Sequence, residues 1–205
     1  MSEVRALGHV WLVGAGPGDP GYITVADRDA LRRAEVVLYD RLSSPELLLE
    51  APPEAVLIDA GKAADNHTLT QDETNALLVE HGSAGKRVVR LKGGDPFVLG
   101  RGSEEVIACA EAGVPVTVIP GISSSLSAPL AAGIPVTHRG TSAGFVVLSG
   151  HAVGDLTALA RTDLTLVFLM GVANLPVLAQ RLVEQGRDAD TPVAVIERAY
   201  ADDRS

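Results

Sequence analysis

The sequence has little cysteine, few basic residues and no long hydrophobic run, and each shortage excludes a class of protein. Cys109 is the one cysteine among 205 residues, so an internal disulfide and a cysteine metal cluster are impossible. No histidines stand at metal-ligand spacing either, and no metal is expected. The 17 basic residues are outnumbered by 26 acidic ones, and the net charge of −9 argues against a nucleic-acid partner.

Hydrophobic residues occur in short runs. No stretch approaches the ~20 uninterrupted apolar residues of a membrane span. Residues 1–8 also lack the apolar core of a signal peptide. We therefore expect a cytoplasmic location and no membrane partner.

Hydrophobic residues make up 46% of the chain and charged residues 21%, so one large domain or two small ones can bury a core. The first half alternates β-forming runs with helical stretches. Strands are predicted over 9–13, 35–39, 56–58, 87–91 and 116–119, and helices over 24–33, 71–81 and 102–112. Thr70 and Glu73 have the spacing of a helix-capping pair. This alternation predicts an α/β fold with a mostly parallel sheet.

The character of the sequence changes after residue 119. A segment rich in Ser, Ala and Gly leads to PVTHRG, which is typical of a crossing between domains. We expect an N-terminal α/β domain over 1–134 and a mixed α/β domain over 135–205. In the second, strands are predicted over 145–148, 164–170 and 193–197, with a helix over 175–185. Three strands would leave an exposed edge, so this domain is expected to be C-terminally short or covered by a partner.

The most informative segment is RVVRLKGGDPFVLGRG at residues 87–102. A buried strand ends in Gly93 and Gly94, which allow close backbone approach, and Asp95 then supplies a carboxylate. Ligands of open parallel sheets bind at the carboxyl ends of the strands, so this loop is a candidate binding site. Gly, Asp and Pro are also ordinary turn residues. From these residues alone, a tight strand-to-helix turn is an equally good interpretation.

A second glycine-rich loop, VGAGPGDPG at residues 13–21, does not fit a dinucleotide-binding site. Asp19 stands where the G-x-G-x-x-G fingerprint needs its third glycine, and Pro17 and Pro20 interrupt the turn into a helix. A nicotinamide or flavin oxidoreductase is therefore disfavoured. The Walker A pattern also fails, because Lys86 is followed by Arg87 instead of Ser or Thr, and no G-x-S-x-G nucleophile elbow occurs.

Six motifs occur in one order: VGAGPGDPGYIT, VVLYDRL, KRVVRLKGGDPFVLGRG, VIPGISS, AGIPVTHRG and LVFLMG. Together, over residues 10–199, they resemble the uroporphyrinogen-III C-methyltransferases, a branch of the tetrapyrrole methylases. The resemblance implies two α/β domains with S-adenosylmethionine in the cleft between them. It also implies methylation of uroporphyrinogen III at two ring positions to give precorrin-2, for sirohaem or cobalamin synthesis, with S-adenosylhomocysteine as the by-product. Family members are typically homodimers and usually continue with further strands of the second domain.

The resemblance also implies functional residues at the matching positions. Asp40 in LYDRL would be the proton acceptor and Lys62 in AGK the proton donor. The cofactor set would be Pro17, Gly93, Gly94, Asp95, Val98, Ser123, Ser124, Met170 and Ala199. At Ser123-Ser124 and at Ala199 the chain departs from common family choices. A basic rim for the substrate carboxylates would consist of Arg41, Lys62, Lys92, Arg101, His138 and Arg139.

Two other classes of function stay open. One is a methylase of the same superfamily that acts on a later corrin precursor, or on a protein or RNA target; LYDRL and THRG favour the uroporphyrinogen branch over it. The other is a catalytically weak cofactor-binding or scaffold protein, which the short C-terminal end and Ala199 suggest.

Overall fold

The computed structural model describes residues 6–61, 69–151 and 154–200. The chain divides into two compact units, Met1–Ser123 and Ser124–Ser205. This division comes one helix before the domain boundary predicted at residue 134.

The first unit contains a five-stranded sheet in the order β3-β2-β4-β1-β5. Every neighbouring pair is parallel, which confirms the sheet type predicted from the βα alternation. Val10 of β1 faces Val88 of β4 on one side and Val116 of β5 on the other. The strands are β1 His9–Gly14, β2 Val36–Tyr39, β3 Val56–Asp59, β4 Arg87–Lys92 and β5 Val116–Ile119.

The helices of this unit are α1 Val25–Leu31, α2 Gln71–Ser83 and α3 Gly102–Glu111. The predicted capping pair is confirmed at α2, where Thr70 and Glu73 form a reciprocal capping box. Thr24 and Asp27 form a second one at α1. Short 3-10 turns at Pro20–Tyr22 and Pro45–Glu50 were not predicted.

The central strands β1, β2 and β4 bury both faces, as a helix-covered parallel sheet requires, whereas Val56 and Leu57 of the edge strand β3 are exposed. One face carries Val13, Val37 and Leu91, which pack with Leu31 of α1. The other carries apolar residues that pack with α2 and α3, namely Val10, Leu12, Val36, Leu38, Leu78, Val88, Cys109 and Val114. Fully burying side chains of this size contributes roughly 1.5–3 kcal/mol each, so these two layers hold the strand ends in fixed register.

The second unit contains α4 Ser124–Ala131, β6 Phe145–Ser149, α5 Thr157–Ala160, β7 Thr165–Leu169 and α6 Leu175–Glu184. The strands β6 and β7 form a parallel pair, with Val147 beside Val167. Leu156, Ala160 and Leu178 are buried in this unit. Among the helices that the structure describes, none has both the length and the apolarity to cross a membrane.

The strand predicted over 193–197 is wrong. These residues have no regular secondary structure, and Val193 and Val195 are 69% and 53% exposed. A β-forming sequence becomes a strand only when a neighbouring strand accepts its hydrogen bonds, and the described part of the second unit offers it no ladder. The segment rich in Ser, Ala and Gly that precedes PVTHRG contains α4, which was not predicted, with Pro129 inside the helix.

Candidate functional site

The sequence-predicted residues of the first unit gather at the carboxyl edge of its sheet. The loops that leave β1, β2, β4 and β5 all begin at this edge, because the strands are parallel. Ligands of open α/β sheets bind at this position.

Four glycines join these loops by direct backbone contact. Gly16 forms an isolated bridge with Gly94, in which the Gly94 N–H donates to the Gly16 carbonyl at 2.7 Å. A Cβ atom on Gly121 would lie 2.1 Å from the Gly94 carbonyl oxygen, and one on Gly14 would lie 2.4 Å from the Gly121 Cα. No side chain fits at either position. Glycine is therefore required here so that the backbone segments at the ends of β1, β4 and β5 can touch.

Asp95 joins two of these loops. Its Oδ1 accepts a hydrogen bond from the Phe97 N–H at 2.8 Å, and its Oδ2 accepts one from the Gly121 N–H at 3.1 Å. The first bond makes a tight turn, which was one of the two interpretations of KGGDP. A carboxylate has about four lone-pair sites, so this half-buried group can still accept a ligand donor. Turn formation and ligand binding are therefore compatible at Asp95.

The remaining predicted cofactor residues of the first unit lie in the same loops. Pro17 and Val98 are half-buried, and Ser123 is buried. Gly93 packs against Leu42, since a Cβ atom on this glycine would lie 2.6 Å from the Leu42 Cβ. The backbone of the KGGDP loop therefore rests on the loop that follows β2.

A cavity of about 310 Å³ opens where β2 and β3 end. Its lining includes three arginines, Arg41, Arg90 and Arg101, and one acidic residue, Asp40. Sequence analysis placed Asp40, Arg41 and Arg101 in the site, and the structure brings these three together. Arg90 was not predicted.

Asp40 is held by its own turn. Its Oδ1 accepts hydrogen bonds from the Leu42 N–H at 3.1 Å and the Ser43 hydroxyl at 3.3 Å. Its Oδ2 lies 3.7 Å from Nη2 of Arg90, and the side chain is 26% exposed. Asp40 is therefore fixed by backbone on one side and faces a cation on the other.

A buried charge cluster lies behind Asp40. Glu105 of α3 is fully buried, and its Oε1 is 3.0 Å from both Nε of Arg90 and Nζ of Lys92. Burial, and then the charge of Arg90, lowers the pKa of Lys92. Lys92 was expected on an exposed rim, but the structure buries its ammonium group and pairs it with Glu105. We call Arg90, Lys92 and Glu105 the buried cluster.

The buried cluster had a signal in the sequence. Arg90 and Lys92 are two residues apart on a buried strand, so they share one face, and Glu105 lies in the first turn of the helix that covers that face. Acids in the first turn of a helix are also explained by the helix dipole alone. Opposite charges on facing elements would have indicated the pairing.

Arg101 and Arg41 form the exposed part of the cavity wall. Arg101 has φ +57° immediately before α3, and its guanidinium donates to both oxygens of Glu104 at 2.8 and 2.7 Å. These hydrogen bonds raise the pKa of Arg101 and lower that of Glu104. Arg41 lies against Gly61, because a Cβ atom on that glycine would be 2.5 Å from the Arg41 Cγ. Lys62, the predicted proton donor, lies outside the described residues.

The second unit holds the other predicted residues. Met170 follows β7 with φ +58° and is 48% exposed. Ser124 is the first residue of α4, and the Tyr200 hydroxyl donates to the Ser127 carbonyl at 3.0 Å, which brings the turn containing Ala199 to that helix.

His138 and Arg139 lie apart from these residues in sequence, in an exposed turn. The backbone N–H of His138 donates to the Ser142 carbonyl at 2.9 Å and closes the turn. Across the described ranges, no group of three His, Cys, Asp or Glu side chains is arranged to hold a metal ion.

Known proteins have sequences similar to that of this chain. The siroheme synthase 2 of Aeromonas hydrophila is 49% identical over 94% of this chain and 42% of its own length. The uroporphyrinogen-III C-methyltransferase of Bacillus subtilis strain 168 is 47% identical over 93% of this chain and 41% of its own length. The chain therefore spans less than half the length of these curated relatives.

Solved structures agree with this grouping. A crystal structure of uroporphyrin-III C-methyltransferase from Thermus thermophilus in complex with S-adenosyl homocysteine is 43% identical, with a TM-score of 0.81 over 97% of this chain and 86% of that one. The structure of a cobalt precorrin-4 methyltransferase is 26% identical, with a TM-score of 0.84 over 96% of this chain and 83% of that one. The family model for tetrapyrrole (corrin/porphyrin) methylases matches residues 9–204. The chain therefore belongs to the tetrapyrrole methylase family.

Proposed function

We propose that this chain carries the S-adenosylmethionine-dependent C-methylation of uroporphyrinogen III at two ring positions, which gives precorrin-2 for sirohaem or cobalamin synthesis. The observation that carries the proposal is the cavity at the ends of β2 and β3, which is lined by Asp40 together with the exposed residues Arg41 and Arg101. Such a cavity suits an anionic substrate that must lose a proton. The similarity to uroporphyrinogen-III C-methyltransferase of Bacillus subtilis, 47% over 93% of the chain, supports the same substrate.

The first-unit loops fit S-adenosylmethionine. Asp95 keeps acceptor capacity for a ligand hydroxyl or amine, and the half-buried Pro17 and Val98 offer apolar contact beside it. The cofactor would be held there by Pro17, Gly93, Gly94, Asp95, Val98 and Ser123, with Ser124, Met170 and Ala199 from the second unit. When bound, it supplies a methyl group on a positively charged sulfonium.

Asp40 is proposed to accept the proton that a methylated ring carbon must release. Its Oδ1 is occupied by the Leu42 N–H and the Ser43 hydroxyl, so Oδ2 is the oxygen that remains for this proton. Lys62 is proposed as the proton donor. The protein has little covalent chemistry to perform, and its main contribution is alignment of substrate and cofactor.

The acetate and propionate groups of the substrate need cations, although the chain is acidic overall. Arg41 and Arg101 are exposed, and a guanidinium group can pair with a carboxylate through two hydrogen bonds. His138 and Arg139 are proposed to complete the rim from the second unit. Lys92 is omitted from the rim because its ammonium is buried against Glu105.

Calorimetry with S-adenosylmethionine, followed by an anaerobic absorbance assay with uroporphyrinogen III, tests the proposal. We expect binding, turnover and a product that carries two additional methyl groups by mass spectrometry. The similarity to cobalt precorrin-4 methyltransferase, with its TM-score of 0.84, makes a later corrin precursor the second candidate substrate. Turnover of a cobalt corrin but not of uroporphyrinogen III would favour that candidate. Binding without turnover of either would favour the scaffold alternative.

A homodimer in the cytoplasm, without membrane or nucleic-acid partners, completes the proposal. The net charge of −9 supports the absence of nucleic acid. Light scattering on the purified chain should give a mass near twice 21.3 kDa. A monomeric mass would contradict the dimer but not the reaction.

A further inference from the structure

Arg90 links two carboxylates that belong to different elements. Its Nε donates to Oε1 of Glu105 on α3 at 3.0 Å, and its Nη2 lies 3.7 Å from Oδ2 of Asp40 at the end of β2. Nη1 donates to the Leu91 carbonyl at 3.0 Å. Each nitrogen of the guanidinium therefore faces a different acceptor: two hydrogen bonds orient the plane of the group, and the ion-pair contact of Nη2 directs its remaining side towards Asp40.

The cluster that holds Arg90 is deeply buried. Glu105 is 0% exposed, and its Oε1 receives both Arg90 and Lys92. Its Oε2 is buried without a hydrogen-bond partner among the described residues. Ions in such a place lose their hydration, and only close, well-oriented partners compensate for that loss. Arg90 consequently has little freedom to rotate away from Glu105.

The position of the cluster argues against a role in packing alone. On the same face of β4, Val88 is apolar and fully buried in the core layer. The face becomes charged only at Arg90 and Lys92, near the end of the strand, where the cavity begins. An apolar residue would fill a purely structural position at a lower desolvation cost.

We propose that Arg90 and Glu105 are positioning residues for Asp40. Glu105 fixes the guanidinium of Arg90, and Arg90 in turn fixes the Oδ2 side of the Asp40 carboxylate at the cavity. The two residues act through Asp40, because Glu105 is fully buried and the guanidinium of Arg90 is held against it. This inference rests on the proposed function, in which Asp40 is the proton acceptor.

Arg90→Lys is the sharpest test, because lysine keeps the positive charge beside Glu105 but cannot bridge two carboxylates in fixed directions. We expect kcat with uroporphyrinogen III to fall by at least about tenfold, since misplacement of a catalytic group by an ångström can cost about a hundredfold. The KM for uroporphyrinogen III and the Kd for S-adenosylmethionine should stay within about twofold of wild type, because neither ligand loses a predicted contact.

Arg87→Lys is the matched control. Arg87 lies on the same strand, three residues earlier, with an exposed side chain that pairs with Glu35. The same substitution at that position should leave kcat, KM and Kd unchanged. A purely structural effect of Arg90→Lys would instead lower the melting temperature and weaken S-adenosylmethionine binding together with kcat.

Glu105→Gln is a second test of the positioning role, because it removes the charge of Glu105 and preserves the shape of its side chain. We expect it to lower kcat through the same chain of contacts. The double variant Arg90→Lys/Glu105→Gln should be no slower than the slower single variant, because residues that act as one unit are non-additive. If Arg90→Lys fails to fold, Glu105→Gln alone tests the inference. A fall in kcat with an unchanged KM supports the positioning role, and an unchanged kcat contradicts it.

Three outcomes would overturn the inference. In the first, Arg90→Lys matches the Arg87→Lys control in kcat. In the second, kcat and cofactor affinity fall together in both Arg90→Lys and Glu105→Gln. In the third, wild type binds S-adenosylmethionine but turns over no uroporphyrinogen III, and then the proposed function fails as well. An active wild type with unaffected variants rejects the positioning role alone.

Discussion

The carboxylate of Asp95 accepts a hydrogen bond from the backbone N–H of Gly121 at 3.1 Å, and this bond fastens the loop after β4 to the loop after β5. The same carboxylate closes its own turn through the Phe97 N–H. Asp95 thus shapes the loop in which it is also proposed to meet the cofactor.

Asp95→Ala should weaken S-adenosylmethionine binding at least about tenfold, because the ligand loses an acceptor and the loop loses two hydrogen bonds. The free energy of unfolding should fall by only about 1–3 kcal/mol, so the fold should persist. Calorimetry and urea unfolding measure the two effects. If the affinity for S-adenosylmethionine were unchanged, Asp95 would serve only to hold the structure of its loop.

Gly121→Ala should destabilise the first unit by about 3 kcal/mol or more, or prevent folding, because the new Cβ atom would lie 2.1 Å from the Gly94 carbonyl oxygen. Gly154→Ala is the control. A Cβ atom there meets nothing within 4 Å, and the φ of Gly154 is not in the left-handed region. Urea unfolding of both variants should show a loss at Gly121 alone, and equal midpoints would contradict the close backbone contact.

Charge reversal at Arg41 and Arg139 should raise the KM for uroporphyrinogen III at low salt, because both are proposed to pair with substrate carboxylates. Steady-state kinetics over a salt series should show the effect shrinking as ionic strength rises. Arg33→Glu makes the same charge change near the amino end of the sheet, where the Arg33 carbonyl accepts from Arg87. If the Arg41 and Arg139 variants had the same KM as Arg33→Glu, neither arginine would pair with the substrate carboxylates.

Cys109 should resist thiol reagents at pH 8 in the native chain and react fully in urea. The side chain is fully buried, and burial together with the charge of Glu105 raises the pKa of the thiol to about 11 from 9.0. In the unfolded chain the thiol ionises first, so its contribution to stability is present below pH 9 and is lost as the pH rises towards 11. Rapid modification of the native chain would contradict this burial.

Stability measured from pH 8 to 11 completes that test. Cys109→Ala should show a smaller loss of unfolding free energy across this range than wild type, whatever its stability at pH 8. If the free energy of unfolding fell equally in the two proteins between pH 8 and 11, the Cys109 thiol would not be the cause of that loss.

The sequence predicts most of the first unit because its signals there are local. Strand β5 was predicted at its observed bounds, and the capping box at Thr70 marks the true start of α2. The strand over 193–197 failed because strand formation depends on a neighbour, which a propensity does not supply. Helix α4 was missed since Ser, Ala and Gly are typical of linkers as well as of small-residue helices.

The candidate site likewise has one part that the sequence predicts and one part that depends on tertiary packing. The loop after a buried strand identified Asp95 as a candidate from the residues themselves, and the resemblance of LYDRL to the family identified Asp40. The roles of Arg90, Lys92 and Glu105 depend on which helix covers which strand face, and this is a tertiary fact. Lys92 shows the difference, because a lysine beside a glycine loop suggests an exposed charge until the packing of α3 is known.

The strand order has a consequence for how the chain folds. β4 lies between β1 and β2, both of which precede it in the chain. The sheet therefore cannot be completed until β4 is inserted, and this pairing of distant segments is a slow kind of step. The insertion brings the loop that bears Asp95 beside the one that bears Asp40. A newly synthesised chain should therefore bring these two loops of the candidate site together in the same event that completes the sheet.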